Sequence, residues 1–336
     1  MTTMRVTICS LFVLALAAFS PSQLTYTVED LGTLGGVSSD AHAINGDGDV
    51  AGMSRDSDGN EHGFLWTEGV MEDLGTLRPG EAALSDAYGV NSSGVVVGLS
   101  DLYSEEWGLV FHAFIWEDGV MSDLGTLGGP YSSAFAVNDD GMAVGWADLS
   151  VQGRSHATLW QGGRAKDLGS IAPDWFSTAY AISSNGIVVG SCEVDSEHNV
   201  HACIWVGNHP HDLGTLGGAW SYAFGVNRYA EVAGASQNSD GEWRAFLWKE
   251  GNMLDLGTLG GARSWGFAIS DSGQVVGYSY NANGGQDVFI WSDGTMTALP
   301  NLGGSCGAEG INNGGSIVGS CTDPESTENH AVLWTQ

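Results

Sequence analysis

Asp30-Leu-Gly-Thr-Leu-Gly-Gly36 is a phrase that this chain repeats. It returns from Asp73, Asp123, Asp167, Asp212 and Asp255, and in decayed form as Ala298-Leu-Pro-Asn-Leu-Gly-Gly304. Successive starts lie 43, 50, 44, 45, 43 and 43 residues apart, so seven units fill nearly all of the 336 residues. A period in this range marks a closed or stacked repeat architecture. It also means that most conspicuous residues are multiplied scaffold, and that function belongs to what is not repeated.

Outward from the phrase, one unit reads as four strands. The first is a small-x-small-β-branched-Asn run, as in Ala41-His-Ala-Ile-Asn45, Ala87-Tyr-Gly-Val-Asn91 and Ala223-Phe-Gly-Val-Asn227. A Gly-containing turn leads to a second strand such as Val95-Val-Val-Gly98. The third ends in Trp in every unit: Trp66, Trp116, Trp160, Trp205, Trp248, Trp291 and Trp334. A tight turn then leads into the fourth strand, Val120-Met-Ser-Asp-Leu124 in the second unit. Alternation and β-branching argue strands, and the regular Gly and Asn positions argue hairpins.

The chain begins with a fourth strand, Leu24–Leu31, and ends with a third, His330–Gln336. Pairing the two ends would complete seven four-stranded sheets and remove both free edges. The expected fold is therefore all-β, a seven-bladed β-propeller whose N-terminal strand completes the last blade. The small residues of the first strand suit the crowded position beside the axis, which leaves the Met-x-Asp-Leu strand outermost.

His112-Ala-Phe-Ile-Trp116, followed by Gly119-Val-Met-Ser-Asp-Leu-Gly-Thr-Leu-Gly-Gly129, resembles the HAF repeat, a family named for its His-Ala-Phe. The resemblance covers nearly all of residues 24–336, with departures such as His156-Ala-Thr158, His201-Ala-Cys203 and Arg244-Ala-Phe246. It implies a bacterial repeat protein that is exported, and it brings no active site to carry over.

Residues 1–20 read as a signal peptide: Arg5, an apolar run from Val6 to Phe19, and Ala15-Leu16-Ala17 as a cleavage site. Residues 21–336 form one domain. Without the signal, 40 acids face 9 Lys and Arg, a net charge of −31. Such a surface repels nucleic acid and anionic membranes. Cys306 and Cys321 are equidistant from the middle of the Asn312–Gly315 turn, and Cys192 and Cys203 from the middle of another hairpin. In an exported protein both pairs are expected to form disulfides.

A histidine opens the third strand at His62, His112, His156, His201 and His330. Copies in different blades are too far apart to share an ion, so the expectation is hydrogen bonding and packing with the recurrent Asp and Trp. Gly303-Gly-Ser-Cys-Gly307 matches the G-x-S-x-G hydrolase elbow only formally, because that motif needs a strand-to-helix turn. Asn45–Asp49 and Asp56–Glu61 carry oxygen donors at alternate positions that would suit calcium. Asn-Gly and Asp-Gly runs are also ordinary turn chemistry.

The unrepeated aromatics Tyr103, Trp107, Tyr131, Trp175, Trp220, Trp243 and Trp265 all fall in the loops of one face, which we call the top. They either stack on ligands or wedge between blades. The favoured function is a non-catalytic binding or adhesion module for glycan or cell-surface material. The alternatives are a polysaccharide lyase or glycosidase built around Asp101, Glu105, Glu106 and Asp174, and a structural surface or matrix protein.

Overall fold

Alternating small and β-branched residues between Gly-containing turns fold each repeat into a four-stranded antiparallel sheet. The computed structural model describes residues 25–78, 83–150, 153–172, 174–324 and 327–336. The signal peptide expected at residues 1–20 lies outside them. In the second blade the strands are Ser85–Val90, Val96–Ser104, Gly108–Glu117 and Val120–Asp123, hydrogen-bonded in that order. Seven such sheets form, as the repeat count predicts.

The first strand of every blade lines the axis, where a cavity is walled by residues from all seven. Crowding there explains its small residues. A Cβ on Gly89 would lie 2.9 Å from the Ala136 Cα of the next blade. In the second strand, a Cβ on Gly98 would lie 2.7 Å from a ring carbon of Phe114, the Phe of His-Ala-Phe, so that aromatic needs glycine beneath it. The core is layered between neighbouring sheets. Ala51 and Leu65 of the first blade, for example, pack with Val96, Phe114 and Trp116 of the second.

The seventh blade joins the two ends of the chain. Thr27–Asp30 pairs antiparallel with Asn329–Thr335, setting Val28 opposite Trp334 and Asp30 opposite Val332. Ala331 N–H also donates to Ser39 Oγ of the first blade. The ring is thus closed by antiparallel pairing, as the spare strand predicts.

Two further systems of hydrogen bonds tie blade to blade. At the bottom, the Asn that ends the first strand donates to the backbone of the following blade: Asn45 to the Asn91 carbonyl, Asn91 to that of Asn138, and Asn312 to that of Asn45. In the upper half, a buried serine bridges to the preceding blade. Ser85 Oγ donates to the Gly75 carbonyl and accepts from Gly63 N–H, and Ser132 Oγ does the same with Gly125 and Ala113.

Cys192, Cys306 and Cys321 enter at these serine positions. Ser39 faces Ser54, and Ser85 faces Ser100. In the seventh blade the same pair is Cys306 and Cys321, which form a disulfide. The second expected bridge is corrected by the structure: Cys192 and Cys203 are free and buried. Cys192 is set opposite His201 and Cys203 opposite Gly190, so the two do not face each other. The turn decides this register. Val194 N–H donates to the Asn199 carbonyl and Glu193 faces Val200, so the hairpin's midpoint lies one residue before the symmetric count. Burial, then a hydrogen bond with Cys203, pushes the Cys192 thiol far up.

Candidate functional site

The structure resolves the repeated histidines first. His62, His112, His156 and His201 each place Nδ1 about 2.9 Å from the carboxylate of Asp73, Asp123, Asp167 and Asp212 respectively. His330 makes the same contact with Asp30 at 2.7 Å, linking the chain's two ends. Each Asp also accepts an N–H two residues on, such as Gly125 N–H at 2.7 Å. Burial opposes ionisation of Asp123, but the His112 hydrogen bond and the Gly125 N–H outweigh it and hold the carboxyl below its ordinary range. The expected Trp partner is not part of this cluster. It stands four residues along the strand, roughly 13 Å away in extended chain. There it packs in the core: Trp160 and Trp334 are fully buried, and Trp334 Nε1–H donates to the Pro300 carbonyl.

The oxygen-rich stretches are turns. Asn45 Oδ1 accepts the N–H groups of Asp47 and Asp49, and Asp56 Oδ1 those of Asp58 and Asn60. Glu61 is paired with Arg55. Among the described residues, no group of three or more metal-type side chains converges.

The top-face aromatics divide into three sets. The long 101–111 segment, which the sequence reads as a loop, is mostly strand: Asp101 faces Phe111, Tyr103 faces Leu109 and Ser104 faces Gly108. It forms a protruding hairpin, with Tyr103 and Leu109 exposed side by side. Trp107 at its tip meets Tyr131 of the next blade in one cavity of about 600 Å³, with Asp148, Leu149 and Ser150 on its wall. Trp107 and Tyr131 are 40% and 36% exposed as residues. Phe111 stacks on Tyr131 at 4.7 Å between centroids. Burial raises the pKa of Asp148, partly offset by a hydrogen bond from the Tyr131 backbone.

Trp243 and Trp265 form the second set. They stack on each other at 6.1 Å and are flanked by Tyr222 and Tyr278, a half-buried wedge between the fifth and sixth blades. Trp175 and Trp220 are half-buried. The carboxylates weighed for catalysis do not converge. Asp101 pairs with Arg78, Asp174 with Arg154, and Glu105 and Glu106 are exposed on the hairpin tip. Ser305 of the formal hydrolase motif lies just before the strand Cys306–Ile311 and not at a strand-to-helix turn, its carbonyl accepting Thr322 N–H.

A further constellation escaped the sequence reading. The register of every first strand slips at the x of small-x-small, for example between Ala87 and Gly89. Each slip is a β-bulge, which leaves one residue unpaired and re-aims its side chain. The seven bulged residues are His42, Tyr88, Phe135, Tyr180, Phe224, Phe267 and Glu309, and all line an axial cavity of about 330 Å³. Neighbouring rings touch from His42 round to Phe267, at 5.2 to 5.5 Å between centroids.

Glu309 closes the circle. Its Oε2 lies 2.7 Å from His42 Nδ1, while His42 Nε2 lies 3.2 Å from Asp86 Oδ1. Burial works against a charged His42, but Asp86 and Glu309 outweigh it and raise its pKa well above the ordinary value. The Tyr88 hydroxyl is held protonated by burial, then by the charge of Asp86 and a hydrogen bond to it. Below this belt Ile44, Ile182, Val226, Ile269 and Ile311 form a collar shared with a second, polar cavity at the bottom face.

No family model and no curated protein matches the chain. Solved structures match its fold. The β-propeller domain of the Trilobed protease from Pyrococcus furiosus aligns with a TM-score of 0.55 at 10% identity, covering 89% of this chain and 94% of that one. Pyrococcus horikoshii acylaminoacyl peptidase aligns at 0.54 and 9% identity over 88% of this chain, which spans only 51% of the peptidase. Aleuria aurantia lectin aligns at 0.39 and 12% identity, over 89% of this chain and 94% of the lectin. At these identities the likeness is one of architecture: the chain is similar to propellers, and the propeller is what the similarity shows.

Proposed function

We propose that this protein is an exported HAF-repeat propeller acting as a non-catalytic binding module, with glycan as its ligand class. One observation carries the reading: Trp107 and Tyr131, two partly exposed rings from adjacent blades, line a single cavity beside the carboxyl of Asp148. Flat aromatic faces take up the C–H surface of a sugar ring, and a fixed carboxyl group hydrogen-bonds its hydroxyls. Phe111 stacks on Tyr131 without lining the cavity, which holds that ring in place. The signal-like start, the acidic surface and the Cys306–Cys321 disulfide are consistent with export. No helix among the described residues is long and apolar enough to cross a membrane.

A glycan-array screen of the mature protein, run with and without calcium, tests this beside Trp107→Ala and Tyr131→Ala. The expected outcome is selective binding that falls at least tenfold in either variant while thermal unfolding is unchanged. Absence of binding by the folded protein, or binding indifferent to both substitutions, would remove the site and move a structural role ahead.

A further inference from the structure

The axial belt is built as a receptor, and its chemistry differs from that of the top-face cavity. Tyr88, Phe135, Tyr180, Phe224 and Phe267 put five neutral aromatic rings around one channel, each half-buried and in contact with the next. The circle is interrupted by Glu309, whose side chain keeps 42% of its surface exposed. Nothing in the repeat demands a carboxylate there, since the other six blades place a ring at that position.

Charge within the belt is unbalanced. Asp86 and Glu309 both flank His42, so even a charged imidazole leaves one negative charge in excess. The rest of the wall is Ala, Gly, Ile and Val, which offers little to a polyhydroxylated ring. A formal net charge of −30 adds a long-range field that draws cations to the protein. Aromatic rings surrounding a space, with a carboxylate at one side and apolar walls elsewhere, match a compact organic cation. A space of about 330 Å³ is the size of a small molecule and not of a polysaccharide chain.

We infer that the axial cavity binds a small organic cation carrying a trimethylammonium-type head group, through the aromatic belt and the Glu309 carboxylate. This site is independent of the Trp107–Tyr131 cavity and stands or falls by itself. A bare metal ion would find the Glu309 and Asp86 carboxylates, both already beside His42. An alkylammonium instead uses the neutral aromatic rings, which five blades contribute.

Titration calorimetry of the mature protein with choline and with 3,3-dimethylbutan-1-ol, its uncharged isostere, tests the inference. Choline should bind saturably and the alcohol at least tenfold more weakly. Glu309→Gln, which preserves shape, should weaken choline at least tenfold, and Phe135→Leu should weaken it several-fold. Thermal unfolding of each variant confirms that the ring is intact, and Glu309→Gln remains decisive if Phe135→Leu does not fold. No choline binding, equal binding of choline and the alcohol, or choline binding unchanged in Glu309→Gln would each overturn the proposal.

Discussion

Single residues in this ring act in repeated roles, so substituting one copy tests the role. Ser85 is fully buried and bridges two blades through Gly63 N–H and the Gly75 carbonyl. Ser85→Ala strands both partners, and the expected loss is about 1–3 kcal/mol in urea unfolding. The pH dependence has two limbs. Asp123 and Asp212 have depressed pKa values in the fold, so their stabilisation is present above the unfolded value near ~4 and is lost as pH falls through the folded values. His42, facing Asp86, Glu309 and Tyr88, has a raised pKa. Its contribution is full below the unfolded value near ~6.5 and fades as pH rises through the folded one. The unfolding midpoint should therefore fall on both sides of that window. His42→Gln should flatten the alkaline limb, and Asp123→Asn should soften the acid limb.

Among the elements, the hairpin reaching Trp107 stands out because it extends a sheet rather than adding to the ring. Residues 102–110 pair only with one another, and the tip exposes Tyr103 and Leu109. Replacing 103–109 with a two-residue Asn-Gly turn, which keeps the buried Val110, should leave thermal unfolding within a few degrees of the parent while abolishing any ligand response of the Trp107–Tyr131 cavity. The Cys306–Cys321 pair also acts at this scale. Its 15-residue separation predicts a loss of about 3 kcal/mol for the double serine variant. The serines would reproduce the pair that other blades already carry, so the variant should still fold. At this scale counting from the turn succeeded at Cys306 and Cys321, where the slip between Ala308 and Gly310 brings the two into register. It misled at Cys192 and Cys203, whose hairpin pairs Glu193 with Val200 and so sets Cys192 opposite His201.

The whole molecule depends on one strand for closure. Thr27–Asp30 completes the last sheet, and its Asp30 supplies the carboxylate for His330. Deleting residues through Asp30 leaves Asn329–Thr335 an unpaired edge. That truncation should lower the melting temperature by many degrees and promote self-association, read by light scattering. Asp30→Asn should cost far less, because it removes one partly exposed pair and keeps the strand. Blade number, strand order and the closing strand were determined by the sequence alone, because a period, an alternation and a spare strand are local patterns that need no third dimension. The sequence also marked Trp107 and Tyr131, since unrepeated aromatics stand out against repeated scaffold. Only the tertiary structure decided that these two meet at one cavity while Trp243 and Trp265 pack on each other, because that depends on which strand ends and hairpin tips neighbouring blades bring together. The axial belt lay in plain view as the x of seven small-x-small runs. Its meaning came from the β-bulge that turns each x toward the axis and from the closure that brings His42 beside Glu309, 267 residues away.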